Sequence, residues 1–188
     1  MEDSGALKAI DRKRICLYTP PFAGDTTMMT TIRAAAEFGV GGVELMNFCR
    51  ELKTSDFETV SFLAGEARKR GLEIPCLTVS IDFLPDPEGA VSVLKRYAKI
   101  CAALGIGLLH HTIAKDFHCN TISDAEIESR FERCVPAVVE VAEFAGSAGI
   151  KTVTENQGFV FNGAERLLAL REWTGGKIGF VADVGNIL

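Results

Sequence analysis

The sequence predicts an α/β protein in which parallel strands alternate with helices. One pattern recurs five times: a helix-like stretch, a glycine, an apolar residue and a short apolar run, as in "ALGIGLLHHT" at 103–112. A glycine after a helix supplies the left-handed C′ residue, so each recurrence is typical of a helix-to-strand junction. Between the junctions, apolar residues keep helical spacing. Strict alternation of strands and helices predicts a parallel sheet with right-handed crossovers.

Six strands and five helices are predicted in order. The first strand is "RICLYT" at 14–19, and the others end the junctions at 37–46, 69–79, 103–112, 147–156 and 174–183. Helices are expected near 26–38, 56–70, 87–104, 124–146 and 163–173. Three of them start with a cap residue three positions before a glutamate, the spacing of a capping box: Ser55 with Glu58, Ser123 with Glu126, and Asn162 with Glu165. The third helix has Asp86 followed by Pro87, which fits a cap and the first helical residue.

This order fits either an open doubly wound sheet or a (β/α)8 barrel. No GxGxxG follows the first strand, there is no P-loop, and polar residues stand at the carboxyl ends of many strands. That distribution favours the TIM-barrel type, whose site is assembled from all the βα loops. Such a barrel typically takes about 250 residues. We therefore expect a tail at 1–13 and a partial TIM-barrel domain at 14–188, with about six βα units and without the last two.

Composition limits the classes of function. The 188 residues are 47% hydrophobic and 24% charged, which is typical of a globular domain. A net charge of −5 provides no basic field for phosphate backbones, so no nucleic-acid partner is expected. No apolar run approaches the ~18 residues that span a bilayer, and residues 1–14 are too charged for a signal peptide, so no membrane partner is expected. Six cysteines without CxxC spacing favour a reduced, cytoplasmic protein.

Two carboxylates at strand ends are the main candidates for chemistry. Glu155 ends the fifth predicted strand and Asp183 the sixth, and each shares a face with the valine two residues before it. Both can therefore point into a barrel mouth, where a charge on an apolar strand needs a partner. Carboxylates on neighbouring strands form half of an oxygen-rich site for Mn²⁺, Mg²⁺, Co²⁺ or Zn²⁺. The alternative is that each acid caps a helix or is solvated in a loop.

Other strand-end residues are candidates for binding a substrate. Glu44 is either a substrate-positioning acid or a structural one. His110 and His111 are adjacent in a strand and face opposite sides, so at most one of them enters the barrel mouth. Asn156 and Asn186 stand close to the two carboxylates in the sequence and are further candidates.

Four segments together resemble the sugar phosphate isomerase/epimerase family, the xylose-isomerase-like TIM barrels. They are "GGVELM" (41–46), "ALGIGLLHHT" (103–112), "GIKTVTENQG" (149–158) and "GFVADVGN" (179–186), and the resemblance covers 14–188. It implies a divalent metal held by a Glu, an Asp, a His and a Glu from strands five to eight. Glu155 matches the first ligand and Asp183 the second, and the other two have no counterpart within the 188 residues. It also implies that Glu155 is one of two bases that move a proton across an enediolate.

Several functions stay open from the resemblance. The first is an isomerase or epimerase of carbohydrate metabolism, acting on a sugar or sugar phosphate, and the second is a metal-dependent lyase, such as a dehydratase of keto-inositols. A DNA-repair endonuclease is disfavoured because a multi-zinc site needs many histidines and the chain has three. From another class comes a truncated barrel that serves as a binding or assembly module. We expect the chain alone to bind metal weakly and to be inactive, and a homo-oligomer or a partner chain to cover its open edges.

Overall fold

The computed structural model describes residues 11–18, 27–47, 49–52, 56–115, 123–158 and 160–186. Within them lie five α-helices: α1 (Met28–Phe38), α2 (Phe57–Lys69), α3 (Pro87–Leu104), α4 (Asp124–Ser147) and α5 (Ala164–Trp173). The strands are β1 (Cys16–Leu17), β2 (Gly42–Val43), β3 (Leu45–Met46), β4 (Cys76–Val79), β5 (Leu108–His111), β6 (Lys151–Glu155) and β7 (Ile178–Val181). Two short 3-10 helices are Arg12–Arg14 and Arg50–Leu52.

Every strand pair is parallel, and within each of the two described sheets the strands follow one another in chain order. β1 pairs with β2, and β3 to β7 pair in sequence order. This order, with a helix between successive strands except between β2 and β3, confirms the α/β prediction and is that of a partial TIM barrel. The predicted second strand is divided at Glu44. There the backbone N–H still donates to the Leu17 carbonyl of β1 (3.2 Å), whereas the next residue, Leu45, is in register with β4.

The helix boundaries agree with the sequence to within two residues, but two of the caps differ. The Ser123 hydroxyl accepts from the Glu126 N–H (3.3 Å), as predicted. The prediction for α2 is wrong in its cap, because the Asp56 carboxylate accepts from the first amides of that helix, whereas Ser55 lies outside the described residues. The prediction for α5 is also wrong, because its cap is Gly163, with no side-chain bond. The side chain of Asn162 is bonded elsewhere.

The core lies between the sheet and its helices. α3 and α4 contribute fully buried side chains to it, and the glycines that end α1 and α3 adopt the predicted left-handed conformation, with φ of 68° at Gly39 and 67° at Gly105. At the β7 end of the described sheet, apolar side chains are exposed, including Trp173 (56%) and Val184 (81%).

Among the described residues, no helix is both long and apolar enough to cross a membrane. Among the described residues, Cys16, Cys49, Cys76 and Cys101 are free thiols.

Gly41 packs directly against the segment that precedes β1. A Cβ at Gly41 would lie 1.9 Å from the Lys13 carbonyl oxygen, and the Gly41 N–H donates to the carbonyls of Arg12 (3.0 Å) and Ile15 (2.9 Å). The backbone cannot retreat without breaking these bonds. We expect Gly41→Ala to lower the free energy of unfolding by about 2 kcal/mol or more, measured by urea denaturation.

Gly65 provides the matched control for that substitution. It lies within α2, and a Cβ there would have nothing within 4 Å. Gly65→Ala is expected to be neutral or to stabilise the protein by about 0.4–1 kcal/mol, since alanine restricts the unfolded chain. Equal denaturation midpoints for the two variants would contradict the close approach at Gly41.

Candidate active site

The parallel register brings polar side chains together at the carboxyl ends of the strands. Thr78 of β4 is in register with His110 of β5, and Glu155 of β6 with Val181 of β7. Residues in register in a parallel sheet point to the same face. On this inner face a cleft of about 610 Å³ opens, lined by Tyr18, Glu44, His110, Glu155, Phe180 and Asp183, among others. The structure thus brings four of the predicted site residues into one cleft.

One side of the cleft is formed by a hydrogen-bonded group of three side chains. The Glu44 carboxylate accepts from the Thr78 hydroxyl and lies 3.4 Å from Nδ1 of His110. Burial would raise the pKa of Glu44, but the hydrogen bonds from His110 and Thr78 outweigh it and lower the pKa. Because an ionised carboxylate only accepts, Nδ1 of His110 carries the proton in this pair. Glu44 thereby fixes the orientation of the imidazole ring.

The other ring nitrogen of His110 faces Glu155. Nε2 lies 3.8 Å from Oε2 of Glu155, too far for a hydrogen bond, and is buried without a hydrogen-bond partner in the described structure. Buried polar atoms in proteins are nearly always paired. A hydroxyl group or a cation entering the cleft here would provide the partner that Nε2 lacks.

The negative charge of Asp183 acts on the carboxyl group of Glu155. Burial raises the pKa of Glu155, the charges of Asp183 and Glu44 raise it further, and His110 opposes them. The carboxylate of Asp183 is held by its own loop: Oδ1 accepts from the Gly185 N–H (2.8 Å) and Oδ2 from Nδ2 of Asn186 (3.0 Å). Glu155 therefore releases its proton less readily than a solvated glutamate, beside a second carboxylate of fixed orientation.

The described residues fit part of a divalent-cation site. They contain no group of three or more His, Cys, Asp and Glu side chains arranged as metal ligands. However, Glu155 and Asp183 share the cleft, where the charge of Asp183 raises the pKa of Glu155, and His110 offers the unpaired Nε2. A cation among these groups would relieve the repulsion and pair the nitrogen. Carboxylate oxygen and imidazole nitrogen are suitable donors for the metals predicted from the sequence.

His111 lies outside the cleft, although it was also a candidate for substrate binding. It is fully buried on the opposite face of β5, where its ring lies 5.8 Å from the Phe83 ring and its Nδ1–H donates to the Thr112 carbonyl (3.1 Å). Burial lowers the pKa of His111 to about 4. Adjacent residues of a strand point to opposite faces, which separates His111 from His110.

The side chains of Asn156 and Asn186 form hydrogen bonds within the protein and do not face the cleft. Asn156 is 8% exposed, and its side-chain amide bonds the backbone of Asp183 through both of its polar atoms. Asn186 bonds the Asp183 carboxylate and the Asn156 carbonyl. Neither side chain lines the cleft, so their predicted contact with substrate is not supported by the geometry.

Tyr18 lines the cleft but was not among the predicted site residues. It follows β1, and burial, together with the charges of Glu155, Glu44 and Asp183, raises the pKa of its hydroxyl to about 12. The phenol is therefore a neutral hydrogen-bond donor facing carboxylates. Its signal in the sequence is the same as that of the other residues, a polar side chain at a strand end, in "RICLYT".

Solved structures share this fold at low sequence identity. A xylose isomerase domain containing protein from Salmonella typhimurium LT2 has a TM-score of 0.67 and 19% identity, over 91% of this chain and 60% of its own. D-psicose 3-epimerase from Clostridium cellulolyticum H10, solved with D-tagatose, has 0.62 and 19%, over 82% and 57%. A probable 3-DHS dehydratase involved in petrobactin synthesis from Bacillus anthracis has 0.65 and 15%, over 86% and 59%.

The chain spans about 60% of the length of the solved structures that it matches. No curated protein matches it. Residues 32–188 match the family described as the xylose isomerase-like TIM barrel, which covers most of the chain. Together with the parallel strand order and the site at the strand ends, this match shows that the chain belongs to the xylose isomerase-like TIM-barrel family.

Proposed function

We propose that this chain carries the substrate-activating half of a metal-dependent isomerase or epimerase acting on a sugar or sugar phosphate. The observation that carries the proposal is the cleft in which Glu155, Asp183 and His110 meet at the carboxyl ends of parallel strands. Active sites of TIM barrels lie at this end of the strands. The similarity to a D-psicose 3-epimerase supports a ketose as the substrate.

In this proposal Glu155 acts as base and as metal ligand. A base that removes a proton beside a carbonyl works best with a pKa near the working pH, and burial and neighbouring charge raise the pKa of Glu155 in that direction. A divalent cation held by Glu155 and Asp183 would polarise the substrate oxygens and stabilise the negative charge that develops on them. Binding and orientation of the substrate would be carried out by other side chains of the cleft.

His110, Glu44 and Tyr18 would orient the substrate. Nε2 of His110, with Nδ1–H directed to Glu44, is free to accept a hydrogen bond from a substrate hydroxyl. The Tyr18 phenol, which stays protonated, can donate to a substrate oxygen. Phe180 and Val153 form an apolar part of the wall against which a carbon skeleton can pack. A polyhydroxy carbonyl compound matches this mixture of acceptors, donor and apolar surface.

A lyase is the second candidate. The probable 3-DHS dehydratase from Bacillus anthracis shares the fold to the same extent as the epimerases, with a TM-score of 0.65. A dehydratase also begins by removing a proton beside a carbonyl, so it makes the same demand on Glu155. The two candidates differ in what leaves: an epimerase returns a proton to the same carbon, whereas a dehydratase expels water.

The test distinguishes these two candidates by measuring deuterium incorporation into a ketose and loss of water from 3-dehydroshikimate. The 188-residue protein is titrated with Mn²⁺ by electron paramagnetic resonance and then incubated with Mn²⁺ in deuterated water with D-fructose, D-psicose, D-tagatose or 3-dehydroshikimate. Slow appearance of deuterium at C3 of a ketose, only with Mn²⁺ in large excess and without net conversion of the sugar, is the expected result, because the chain alone is expected to bind metal weakly and not to turn substrate over. Loss of water from 3-dehydroshikimate without ketose exchange would favour the lyase. Absence of both Mn²⁺ binding and exchange would contradict the proposal and favour a non-catalytic module.

A further inference from the structure

The Asn156 side chain extends the hydrogen-bonding ladder between β6 and β7 by one step. The last backbone pair in register is Glu155 with Val181. Beyond it, Oδ1 of Asn156 accepts from the Asp183 N–H (2.8 Å), and Nδ2 donates to the Asp183 carbonyl (3.0 Å). A side-chain amide presents the same donor and acceptor as a peptide group. Asn156 therefore holds the backbone of Asp183 where the regular sheet has already ended.

Two further asparagines join Asn156 in a closed set of hydrogen bonds. Nδ2 of Asn186 donates both to Oδ2 of Asp183 (3.0 Å) and to the Asn156 carbonyl (2.9 Å). Nδ2 of Asn162 donates to the Asn186 carbonyl (3.0 Å), and its Oδ1 accepts from Nδ2 of Asn156 (3.3 Å). Each asparagine thus bonds the other two, directly or through its backbone, around Asp183.

This arrangement determines how Asp183 presents its carboxylate. Its oxygens each accept one hydrogen bond, from the Gly185 N–H and from Asn186, and its peptide group is bonded on both sides by Asn156. A carboxylate oxygen has two lone pairs, so one on each oxygen stays available. With the backbone and the side chain both bonded, the free lone pairs have one preferred direction. Groups of this kind around a metal ligand set its orientation.

We propose that Asn156, Asn162 and Asn186 form a three-amide latch that positions the Asp183 carboxylate in the cleft, with Asn162 as a positioning residue. Within the described part of the chain, the hydrogen bonds of the Asn162 side chain go to Asn156 and Asn186, so it acts on Asp183 through these two residues. This also explains why Asn162 does not cap α5. The role of Asp183 as a metal ligand rests on the proposed function, whereas the latch itself does not.

The chain contains a matched control for the latch. Asn47, just after β3, makes the same two-way contact with the end of β4: its Oδ1 accepts from the Ser80 N–H (2.7 Å), and its Nδ2 donates to the Ser80 carbonyl (3.5 Å). Asn47 is therefore chemically equivalent to Asn156 but is bonded to a different strand pair. Its replacement removes a strand-end amide and leaves Asp183 untouched.

The first test measures amide hydrogen exchange by NMR in the 188-residue protein. In Asn162→Ala, and in the isosteric Asn162→Asp, which keeps the acceptor oxygen but replaces the donor to Asn186 by a negative charge, the Gly185 and Asp183 amides are expected to exchange about tenfold faster or more. Asn47→Ala should change exchange at Ser80 and leave Gly185 at its wild-type rate. Wild-type exchange at Gly185 in both Asn162 variants would overturn the latch, as would equal acceleration in Asn47→Ala.

The second test measures Mn²⁺ affinity by electron paramagnetic resonance. Outer groups that orient a metal ligand typically contribute about 10–100-fold to affinity. We therefore expect about tenfold weaker Mn²⁺ binding in Asn162→Ala, and wild-type binding in Asn47→Ala. Unchanged affinity in Asn162→Ala would overturn the positioning role. A wild-type protein without Mn²⁺ affinity would overturn the proposed function instead, and amide exchange would still decide the latch.

Discussion

Replacing Glu155 by glutamine is expected to slow the Mn²⁺-dependent exchange of the ketose C3 hydrogen by about 10²–10⁴-fold, the usual contribution of a positioned general base. The substitution keeps the size of the side chain and its place at the end of β6, where its carboxylate now faces Nε2 of His110 at 3.8 Å. It removes the proton acceptor and one of the two cleft carboxylates that would hold the cation. Mn²⁺ affinity is therefore expected to fall in the same variant.

Glu143→Gln is the control for the change of charge. Glu143 lies on α4, half exposed and paired with Lys177 at 2.7 Å, and it is not part of the cleft wall. An exposed ion pair contributes little, so exchange and Mn²⁺ affinity should stay within about twofold of wild type. Exchange at the wild-type rate in Glu155→Gln would exclude Glu155 as the base. Equal losses in both variants would point to net charge rather than to the site.

Acidification is expected to destabilise the protein through His111. Burial lowers the pKa of His111 from 6.5 to about 4, so between these values the unfolded chain binds a proton that the folded chain does not. Stability is therefore complete above pH 6.5 and falls as the pH decreases towards 4. A difference of this size corresponds to about 3 kcal/mol at pH 4. Nε2 of His111 is buried without a hydrogen-bond partner in the described structure, and the ring lies against that of Phe83. A proton on Nε2 would therefore find no acceptor there.

The measurement compares urea denaturation of wild type and His111→Gln at several values between pH 7 and pH 4. The carboxylates of Glu44, Asp56 and Glu66 have lowered pKa values and also cost stability in acid, but they do so equally in both proteins. The difference between the two proteins therefore isolates His111. We expect the wild type to lose about 3 kcal/mol more than the variant over this range. Parallel curves would show that His111 gains its proton without cost in the folded state.

Local signals in the sequence predicted most of the fold correctly. The glycine of each junction marked where a helix ends, and the predicted helix boundaries agree with the structure to within two residues. The two wrong caps have one physical cause, since several polar side chains near a helix start compete for its first amides. At α2 the carboxylate of Asp56 accepts hydrogen bonds from the first amides of the helix. At α5 the side chain of Asn162 bonds Asn156 and Asn186 instead of the helix amides. Which side chain caps a helix can therefore depend on residues that are distant in the sequence.

The site was predicted in part, because its residues come from different strands. The rule that polar residues at strand ends meet in a barrel mouth brought Glu44, His110, Glu155 and Asp183 together, and the structure places all four around one cleft. Their roles stay predictions, as do the partner that would cover the open edges and the extent of the domain. Tyr18, at the end of the first predicted strand, is the cleft residue that the sequence prediction missed.

The sequence by itself determined the features that depend on neighbours along the chain: where helices end, the alternation of strands and helices, and the resemblance of the strand-end segments to the family. Only the tertiary structure decided which side chains share a hydrogen bond, because this depends on register between strands far apart in the chain. Register brings Glu44 to His110 across 66 residues of sequence and brings three asparagines together around Asp183. A hydrogen bond requires atoms within about 3 Å, and sequence spacing does not specify that distance between strands.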